Sequence, residues 1–398
     1  MRVTSEPSII DVKEAPGAAS RRKSRIVACA LSTYSKIGGL QNFNRRLFQS
    51  LGSRARRGAE PLVVVAGDDK ATLPASSGFE IVAPHGRAAF LLQVFAASVG
   101  QGGLLLICHI NLLALAVAVR LFRPRLPIVL FVHGFEAWNG AGRPRRHFER
   151  LALRCVDRVV SVSRYTAGVM SREFGVPIEK FRILPNAVDE PAQGPVVARK
   201  PFSILTVTRL GAAEREKNVH EMIEAVALLR ARAPQLTYEI VGDGALRPQL
   251  EELARQRGVD DVVTFRGLVD ADALREAYAR ASVFAMPSDK EGFGIVYLEA
   301  WQYGLPVICS MFGAASEVVA DEVDGFVVDP HDVEALAERL GRLLLDPALA
   351  REMGERGREK VVSKYLDADF RGNLFRILDE VVREAGSEAL AGGSKLTF

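Results

Sequence analysis

The clearest architectural signal in the chain lies in residues 283–300, which read VFAMPSDKEGFGIVYLEA. The first four residues are apolar without alternation, as in a strand that is covered on both faces of a sheet. Pro287 then begins a loop that carries two glycines, and apolar residues resume beyond it at helical spacing. We therefore predict a strand, a tight loop and a helix, which is the repeating unit of a parallel α/β sheet.

The same unit recurs throughout the chain. Apolar runs of this kind, separated by helical patterns, occupy residues 25–31, 61–66, 104–108, 127–132, 158–162, 181–184, 202–208, 237–241, 262–266, 283–286, 306–309 and 325–328. This alternation predicts two doubly wound, Rossmann-like α/β domains that face each other across a cleft. Because ligands of such sheets bind beyond the carboxyl ends of the strands, we expect the functional residues in the loops that follow them.

Length and composition agree with two globular domains. The chain has 398 residues, more than a single core usually organises, and its 48% hydrophobic and 25% charged residues exclude global disorder. Proline and glycine cluster in residues 189–201, which predicts the linker. We expect residues 1–24 and 386–398 to be flexible tails.

The cysteine pattern and the hydrophobic runs favour a cytoplasmic protein. Cys29, Cys108, Cys155 and Cys309 are far apart and form neither a metal-binding pair nor a disulfide framework. The first 25 residues lack the apolar block of a signal peptide. The most apolar stretch, residues 104–119, is shorter than the ~20 residues of a bilayer span.

Charge is distributed unevenly between the two halves. Residues 1–200 contain 29 Lys and Arg against 14 Asp and Glu, a net charge of +15, whereas residues 201–398 contain 23 against 34, a net charge of −11. The split suggests that the first half meets an anionic partner; a solvated surface without a partner is the alternative. No aromatic RNA-binding motif, zinc pattern or basic recognition helix supports a nucleic acid.

One run of arginines in the first half suggests a membrane contact. Arginines recur every three or four residues at Arg143, Arg146, Arg150, Arg154 and Arg158. Such a helical stripe could lie peripherally on an anionic leaflet, at the inner face of the cytoplasmic membrane. The alternative is the solvated face of an ordinary helix.

The loop in residues 287–294 holds the sharpest candidate site. Gly292 and Gly294 let the backbone approach a ligand closely, and the amides of the following helix N-terminus favour negative charge. Glu299, about one turn into the helix, could accept hydrogen bonds from a ribose diol, while Glu291 in the loop would face a transferred group. The alternative is a helix with an acidic first turn.

Two cations follow the strand at residues 202–208. Arg209 and Lys217 stand where they could hold a diphosphate and stabilise the charge of a leaving nucleotide without a metal. The alternative is an exposed loop in which neighbouring glutamates pair with Arg215 and Lys217. In the first half, Gly38 and Gly39 follow the first strand and His133 follows the strand at residues 127–132. His133 could contact a sugar hydroxyl or be a packed core histidine.

In their order and spacing, these features resemble the retaining nucleotide-sugar glycosyltransferases of the GT-B fold, in particular family 4 of the group 1 type. The resemblance covers nearly all of residues 25–385. Its motifs are Gly38-Gly39, His133, PNAVD at 185–189, Arg209 with Lys217, VGDG at 241–244 and Glu291 with Glu299.

The resemblance implies a role for each residue of the site. Arg209 and Lys217 would bind the donor diphosphate, and Glu299 would hold the ribose. Glu291 and neighbouring amides would position the donor sugar, with His133 completing the sugar site from the other domain. The residues implied to bind the donor are Gly38, Gly39, Arg209, Lys217, Gly242, Gly267, Leu268, Glu291, Gly292, Phe293, Gly294 and Glu299; those implied in catalysis are Glu291, His133, Arg209 and Lys217.

Two departures from the family's pattern concern the cation loop. The loop between Arg209 and Lys217 is longer than in many members, and Asn218 stands where glycine is usual. Arg215 therefore remains an alternative to Lys217 as the phosphate partner. The resemblance also implies a division into an N-terminal acceptor domain, residues 25–195 with 366–385, and a C-terminal donor domain, residues 200–365.

The implied activity is transfer of a sugar from a UDP- or GDP-linked donor to a glycan or polyprenyl-linked acceptor, with no cofactor or metal. Bacterial exopolysaccharide or lipopolysaccharide synthesis is the expected setting. Asp270 and Asp272, like Asp367 and Asp369, precede helical patterns, so we expect helix caps there and no metal site. The alternatives are a catalytically silent sugar-nucleotide-binding protein and a transferase for a small soluble acceptor. A phosphorylase or an epimerase is not favoured by the two glutamates.

Overall fold

The computed structural model describes residues 25–36, 38–54, 60–65, 67–74, 79–138, 146–190 and 198–393. The first sheet is built from the strands β1 Arg25–Ala30, β2 Glu60–Val65, β3 Glu80–Val82, β4 Gly102–Ile107, β5 Ile128–Val132, β6 Arg158–Ser161 and β7 Phe181–Ile183. All neighbours are parallel, in the order β3-β2-β1-β4-β5-β6-β7.

The second sheet repeats this arrangement. Its strands are β8 Ser203–Val207, β9 Thr237–Val241, β10 Val263–Gly267, β11 Val283–Met286, β12 Val307–Ser310 and β13 Gly325–Val328. They are parallel in the order β10-β9-β8-β11-β12-β13. In each sheet the strand order reverses beside the first strand, which is where doubly wound sheets bind ligands. The predicted fold class is confirmed.

Helices cover both sheets. They are α1 Gly39–Arg54, α2 Arg87–Gln101, α3 Ala114–Phe122, α4 Phe135–Trp138, α5 Arg146–Ala152, α6 Arg164–Phe174, α7 Val219–Arg230, α8 Arg247–Gln256, α9 Ala271–Arg280, α10 Ile295–Gln302, α11 Ala315–Val318, α12 Val333–Leu345, α13 Pro347–Lys364 and α14 Asp367–Gly393. None of the helices in the described ranges combines the length and the hydrophobicity that a membrane span needs.

The long helix α14 returns to the first domain. Its Phe370 ring lies edge-on to Phe43 of α1, with 5.3 Å between the ring centroids, and Asp367 pairs with Arg46 at 2.7 Å. α14 extends to Gly393, past the boundary at residue 385 that we predicted. The segment at 386–398, which we predicted to be a tail, is helical as far as Gly393. Residues 1–24 and 394–398, and most of the predicted linker, lie outside the described residues.

Two expectations about the first domain are corrected. The short edge strand β3 has no counterpart among the predicted strands. The single arginine-striped helix is also wrong: α5 ends at Ala152, a 3-10 turn follows at Leu153–Cys155, and Arg158 is the first residue of β6. Arg143 lies outside the described residues.

Candidate active site

The two domains touch at the loop between β11 and α10. A Cβ atom on Gly292 would lie 2.2 Å from the carbonyl oxygen of His133, which follows β5. Gly134, the next residue, is also close from the other side, because its Cβ would stand 3.0 Å from the Gly292 Cα. The two backbones therefore meet at a distance that only glycine permits.

The same loop carries a partly buried ion pair. Lys217 Nζ lies 2.9 Å from Glu291 Oε2, and both side chains are less than a fifth exposed, at 16% and 17%. The Glu291 carbonyl accepts a hydrogen bond from the Ala314 N–H at 2.8 Å, which anchors the loop to the residue before α11. An ammonium group has three protons, so Lys217 can still donate to a phosphate oxygen. Arg215, the alternative candidate, is exposed.

Asn218 ties the cation loop to the glutamate loop. Its backbone has φ 56°, a left-handed conformation that favours glycine and also tolerates asparagine. Its buried side chain donates to the carbonyl of Pro287 at 2.8 Å and to the carboxylate of Asp289 at 2.7 Å. This conformation accounts physically for asparagine at a position where glycine is usual.

Arg209 is placed differently from Lys217. Its side chain is 73% exposed and pairs with Glu214 Oε1 at 2.7 Å. Glu214 belongs to the same loop, so a carboxylate occupies the guanidinium that we assign to a diphosphate. Binding a diphosphate there requires this exposed pair to open, at a small cost because exposed pairs contribute about 1 kcal/mol or less.

The loops after β8, β9 and β10 form one backbone cluster. A Cβ atom on Gly242 would lie 1.7 Å from the Thr208 carbonyl oxygen, and the Gly242 N–H donates to the Gly267 carbonyl at 2.9 Å. Leu268 follows directly and is 83% exposed. This exposed apolar side chain can pack against a planar ring.

Glu299 lies in α10, largely buried. Its Oε2 accepts a hydrogen bond from the Tyr278 hydroxyl at 2.9 Å. Burial raises the pKa of Glu299, and the bond from Tyr278 opposes that shift. The tyrosine engages one carboxylate oxygen, and the other oxygen of a carboxylate can also accept hydrogen bonds.

His133 presents a neutral imidazole. Burial lowers its pKa to about 4, opposed by a hydrogen bond with the backbone of Cys108. A bond that raises the pKa of a histidine is donated by the ring, and Nε2 has no partner among the described residues, which assigns the proton to Nδ1. Nε2 is thus a buried hydrogen-bond acceptor.

Gly38 and Gly39 begin α1 beside this imidazole. Phe43, one turn further along α1, contacts the His133 ring edge-on with 4.6 Å between the centroids. A Cβ atom on Gly39 would meet nothing within 4 Å, so open space adjoins it. The structure brings Lys217, Glu291, Gly292 and His133 together, while Arg209 is paired with Glu214.

Two residues of the site, Asp68 and Glu317, were not predicted from the sequence. The Asp68 carboxylate, after β2, accepts from the N–H groups of Thr33, Tyr34 and Ser35 at 2.8–3.0 Å and shapes the loop that leads to Gly38. Its position after a strand, in Gly67-Asp68-Asp69, was the available clue. Glu317 of the second domain accepts from the Arg164 N–H at 2.9 Å and from that of Tyr165, at the first turn of α6 in the first domain.

The carboxylate pairs that we considered for a metal have structural roles. Asp270 is the N-cap of α9 and accepts from the Ala273 N–H at 2.8 Å. Asp369 accepts from the Leu366 N–H at 3.3 Å. In the part of the chain that the structure describes, no three His, Cys, Asp or Glu residues are grouped to hold a metal ion.

Two Rossmann-like domains, each a parallel sheet covered by helices, form the architecture of the GT-B fold. Family models agree with this geometry: Glycosyl transferases group 1 matches residues 196–360, and Glycosyltransferase Family 4 matches residues 37–190. The chain belongs to the group 1, family 4 glycosyltransferases.

Two relatives of the chain have the names of sugar transferases. The chain is 35% identical over 247 residues to the GDP-mannose-dependent alpha-(1-6)-phosphatidylinositol monomannoside mannosyltransferase of Mycolicibacterium smegmatis, covering 58% of this chain and 64% of that protein. It is 35% identical over 198 residues to the D-inositol 3-phosphate glycosyltransferase of Streptomyces griseus, covering 45% and 42%. The matches to these two relatives thus span less than two thirds of their lengths.

Solved structures share the fold. Anabaena HepE in complex with UDP and glucose superposes with a TM-score of 0.73 at 21% identity, covering 90% of this chain and 100% of that one. The lipopolysaccharide outer core galactosyltransferase WaaB, in its apo form, gives a TM-score of 0.69 at 15% identity, covering 89% and 99%.

Proposed function

We propose that the protein transfers a sugar from a UDP- or GDP-linked donor to a glycan or lipid-linked acceptor, with retention of configuration and without a metal. The observation that carries this proposal is the Lys217–Glu291 pair, held where the donor loop meets His133 of the other domain. The names of the relatives, with GDP-mannose in one and UDP with glucose in a structural neighbour, support the donor class.

The donor phosphates lie between Lys217 and the N-terminus of α10 in this proposal. The free amides and the dipole of a helix N-terminus favour an anion, and the Lys217 ammonium adds a full charge. Arg209 joins them when it leaves Glu214. Glu299 accepts from the ribose, and the backbone at Gly267 and Leu268 takes the base. His133 Nε2 accepts from a hydroxyl of the sugar.

The proton of the acceptor hydroxyl goes to the departing phosphate oxygen. As the bond from the anomeric carbon to that oxygen breaks, the acceptor oxygen bonds to the same face of the sugar, and its proton passes to the leaving diphosphate. A low-pKa imidazole is a weak base, so His133 is suited to orientation rather than to proton removal. Lys217 and Arg209 stabilise the charge that develops on the diphosphate.

The proposal extends to the cellular location of the enzyme and to the pathway in which it acts. We place the enzyme in the cytoplasm, peripherally at the inner membrane, in exopolysaccharide or lipopolysaccharide synthesis. A relative whose name specifies a phosphatidylinositol mannoside supports a lipid-linked acceptor.

A thermal-shift panel of UDP-, GDP- and ADP-sugars with a chelator present tests the donor assignment. A ligand at 100 times its Kd stabilises the folded state by about 2.7 kcal/mol. We expect one nucleotide to give this shift and Arg209→Ala to lose most of it. Transfer of labelled sugar to extracted lipid or oligosaccharide then separates an enzyme from a silent binding protein. Donor binding without transfer to any acceptor or to water would contradict the proposal.

A further inference from the structure

Three helices share one face of the first domain. α2, α3 and α5 contact one another in that order and pack on the side of the first sheet that holds Val27 and Cys29, whereas α1 and α14 cover the side of Ile26 and Ala28. We call their solvent side the α2–α3–α5 face.

Large apolar side chains are exposed on this face. Leu92 of α2 is 68% exposed, and Leu121 and Phe122 at the end of α3 are 76% and 65% exposed. The Phe95 and Phe122 rings touch edge-on at 5.2 Å, which joins the patches of the two helices. Leu91, Phe148 and Leu151 extend the exposed set. Contiguous apolar surface of this kind marks an interaction site, unlike leucines scattered singly.

The segment that contributes α2 and α3 to this face carries charge of one sign. Residues 81–135 contain no aspartate or glutamate, and their four arginines include Arg87 and Arg125, which are exposed. Arg123 ties the end of α3 to α2 by donating to the Val99 carbonyl at 2.7 Å. The carboxylate beside α3, Asp157, pairs with Arg120 at 2.8 Å. The part of the face that residues 81–135 contribute thus carries cations and no carboxylate of its own, which complements an anionic partner with an apolar interior.

A basic cavity of about 350 Å³ opens beside α5. His147, Arg150, Arg154 and Lys180 form its polar lining, with Leu151 and Phe174 among its apolar walls. The lining residues that the structure describes include no carboxylate. Charge and size therefore suit a phosphate group that carries an apolar extension.

The cations of this cavity keep donors unused. Arg150 donates through Nε to the Phe174 carbonyl at 3.1 Å, and Lys180 donates to the Val156 carbonyl at 2.9 Å. Burial lowers the pKa of Lys180, so an entering anion would favour its charged form. Two further arginines of the predicted stripe form ion pairs: Arg146 pairs with Glu173, and Arg158 with Glu384.

The cavity is separate from the active site. Arg154 precedes β6, and Pro177 and Lys180 precede β7, so the cavity lies at the amino ends of the strands. The donor loops follow their strands at the carboxyl ends. These are opposite edges in a parallel sheet.

We infer that the α2–α3–α5 face docks on an anionic lipid bilayer, with Leu92, Leu121 and Phe122 in the acyl boundary and a lipid phosphate in the cavity of Arg150, Arg154 and Lys180. A second copy of the chain is the rival occupant. A two-fold contact would set this cationic face against itself, and like charges oppose that pairing.

Vesicle sedimentation tests the inference. We expect the protein to bind vesicles that contain phosphatidylglycerol, to bind pure phosphatidylcholine at least tenfold more weakly, and to lose binding as salt rises. Leu92→Gln with Leu121→Gln should weaken binding at least tenfold, since both side chains are exposed and the fold does not need them. Leu228→Gln on α7, also an exposed leucine, is the matched control.

Charge-reversal variants distinguish phosphate binding in the cavity from general electrostatic attraction to the vesicle. Arg154→Glu should reduce the preference for phosphatidylglycerol, whereas Arg358→Glu on the exposed side of α13 should leave it unchanged. Equal binding by both reversals, or no binding by the full chain, would overturn the inference. Dimers in light scattering that the Leu92/Leu121 variant abolishes, without vesicle binding, would assign the face to a second copy. Donor-induced thermal shifts, measured in parallel, report on the proposed function separately.

Discussion

The Lys217 ammonium is the residue on which the proposed chemistry depends most. We expect Lys217→Ala to lower kcat about 100- to 1,000-fold, the usual effect of removing one preorganised donor to a developing charge. The Glu291 carboxylate also loses its partner at 2.9 Å, so some loss of stability should accompany the loss of rate. Sugar transfer and thermal unfolding measured on the same preparation separate the two effects.

Arg215→Ala is the matched control, because this cation lies in the same 3-10 turn but is exposed. Full activity is expected. If Arg215→Ala abolished transfer and Lys217→Ala did not, the phosphate assignment would have to be exchanged between the two residues.

The protonation of His133 should make the stability of the folded protein depend on pH. Its pKa is about 4 in the folded protein against 6.5 for the unperturbed side chain, because burial disfavours the charged ring. Between these pH values the unfolded chain binds a proton that the folded chain does not, so stability falls as pH decreases from about 6.5 toward 4. The loss approaches about 3 kcal/mol at the acid end of this window.

Urea unfolding at pH 7.5, 6 and 5 measures this dependence. His133→Gln cannot titrate there, so its stability should change less than that of the wild-type chain over the same interval. Parallel curves for the two proteins would show that His133 does not titrate differently in the folded and unfolded states.

At the scale of elements, the loop between β11 and α10 depends on its first glycine. A methyl group at Gly292 would lie 2.2 Å from the His133 carbonyl oxygen, a backbone atom that cannot rotate away. Gly292→Ala should therefore separate the loop from β5 and reduce kcat strongly, while donor binding to the second domain persists. Transfer rates and donor-induced thermal shifts measure the two quantities.

Gly39→Ala gives the contrasting case. Its methyl group meets nothing within 4 Å, so we expect the folded state to keep its stability. The added group projects into space that the sugar would use, and KM for the donor should rise. A Gly292→Ala variant as active as wild type would contradict the close approach of the loops.

The strands were predictable where they are buried on both faces. β1 buries every residue after Arg25, which produces an unalternating apolar run in the sequence. β3 has only three residues, all at least partly exposed, at the sheet edge, and leaves no such run. The arginine spacing in residues 143–158 was misleading because a helix, a 3-10 turn and a strand follow one another there, and periodicity does not show where the backbone changes conformation.

The site was predictable as a set of strand-end loops but not as a set of contacts. Gly292 and His133 each follow a strand, so the topology places them at the same edge of their sheets. Which carboxylate meets which cation depends on loop conformation: Glu291 pairs with Lys217, and Glu214 pairs with Arg209. No local pattern carries that information.

At the scale of the whole molecule, one side-chain contact between the two domains stands out among the described residues. Glu317 in α11 of the second domain accepts from the first two N–H groups of α6 in the first. A carboxylate at a helix N-terminus contributes about 0.5–2 kcal/mol. This single contact can therefore shift the balance between closed and open arrangements of the domains.

Glu317→Ala should favour the open arrangement. We expect a larger radius of gyration in small-angle scattering and a lower kcat, with donor affinity unchanged, because the donor contacts that we assign to phosphate and ribose lie in the second domain. Glu338→Ala, an exposed carboxylate on α12, controls for charge. Donor added to the variant should bring the scattering curve only part of the way back to that of the wild-type protein. An unchanged radius together with unchanged turnover would show that the Gly292–His133 contact and α14 hold the domains closed without Glu317.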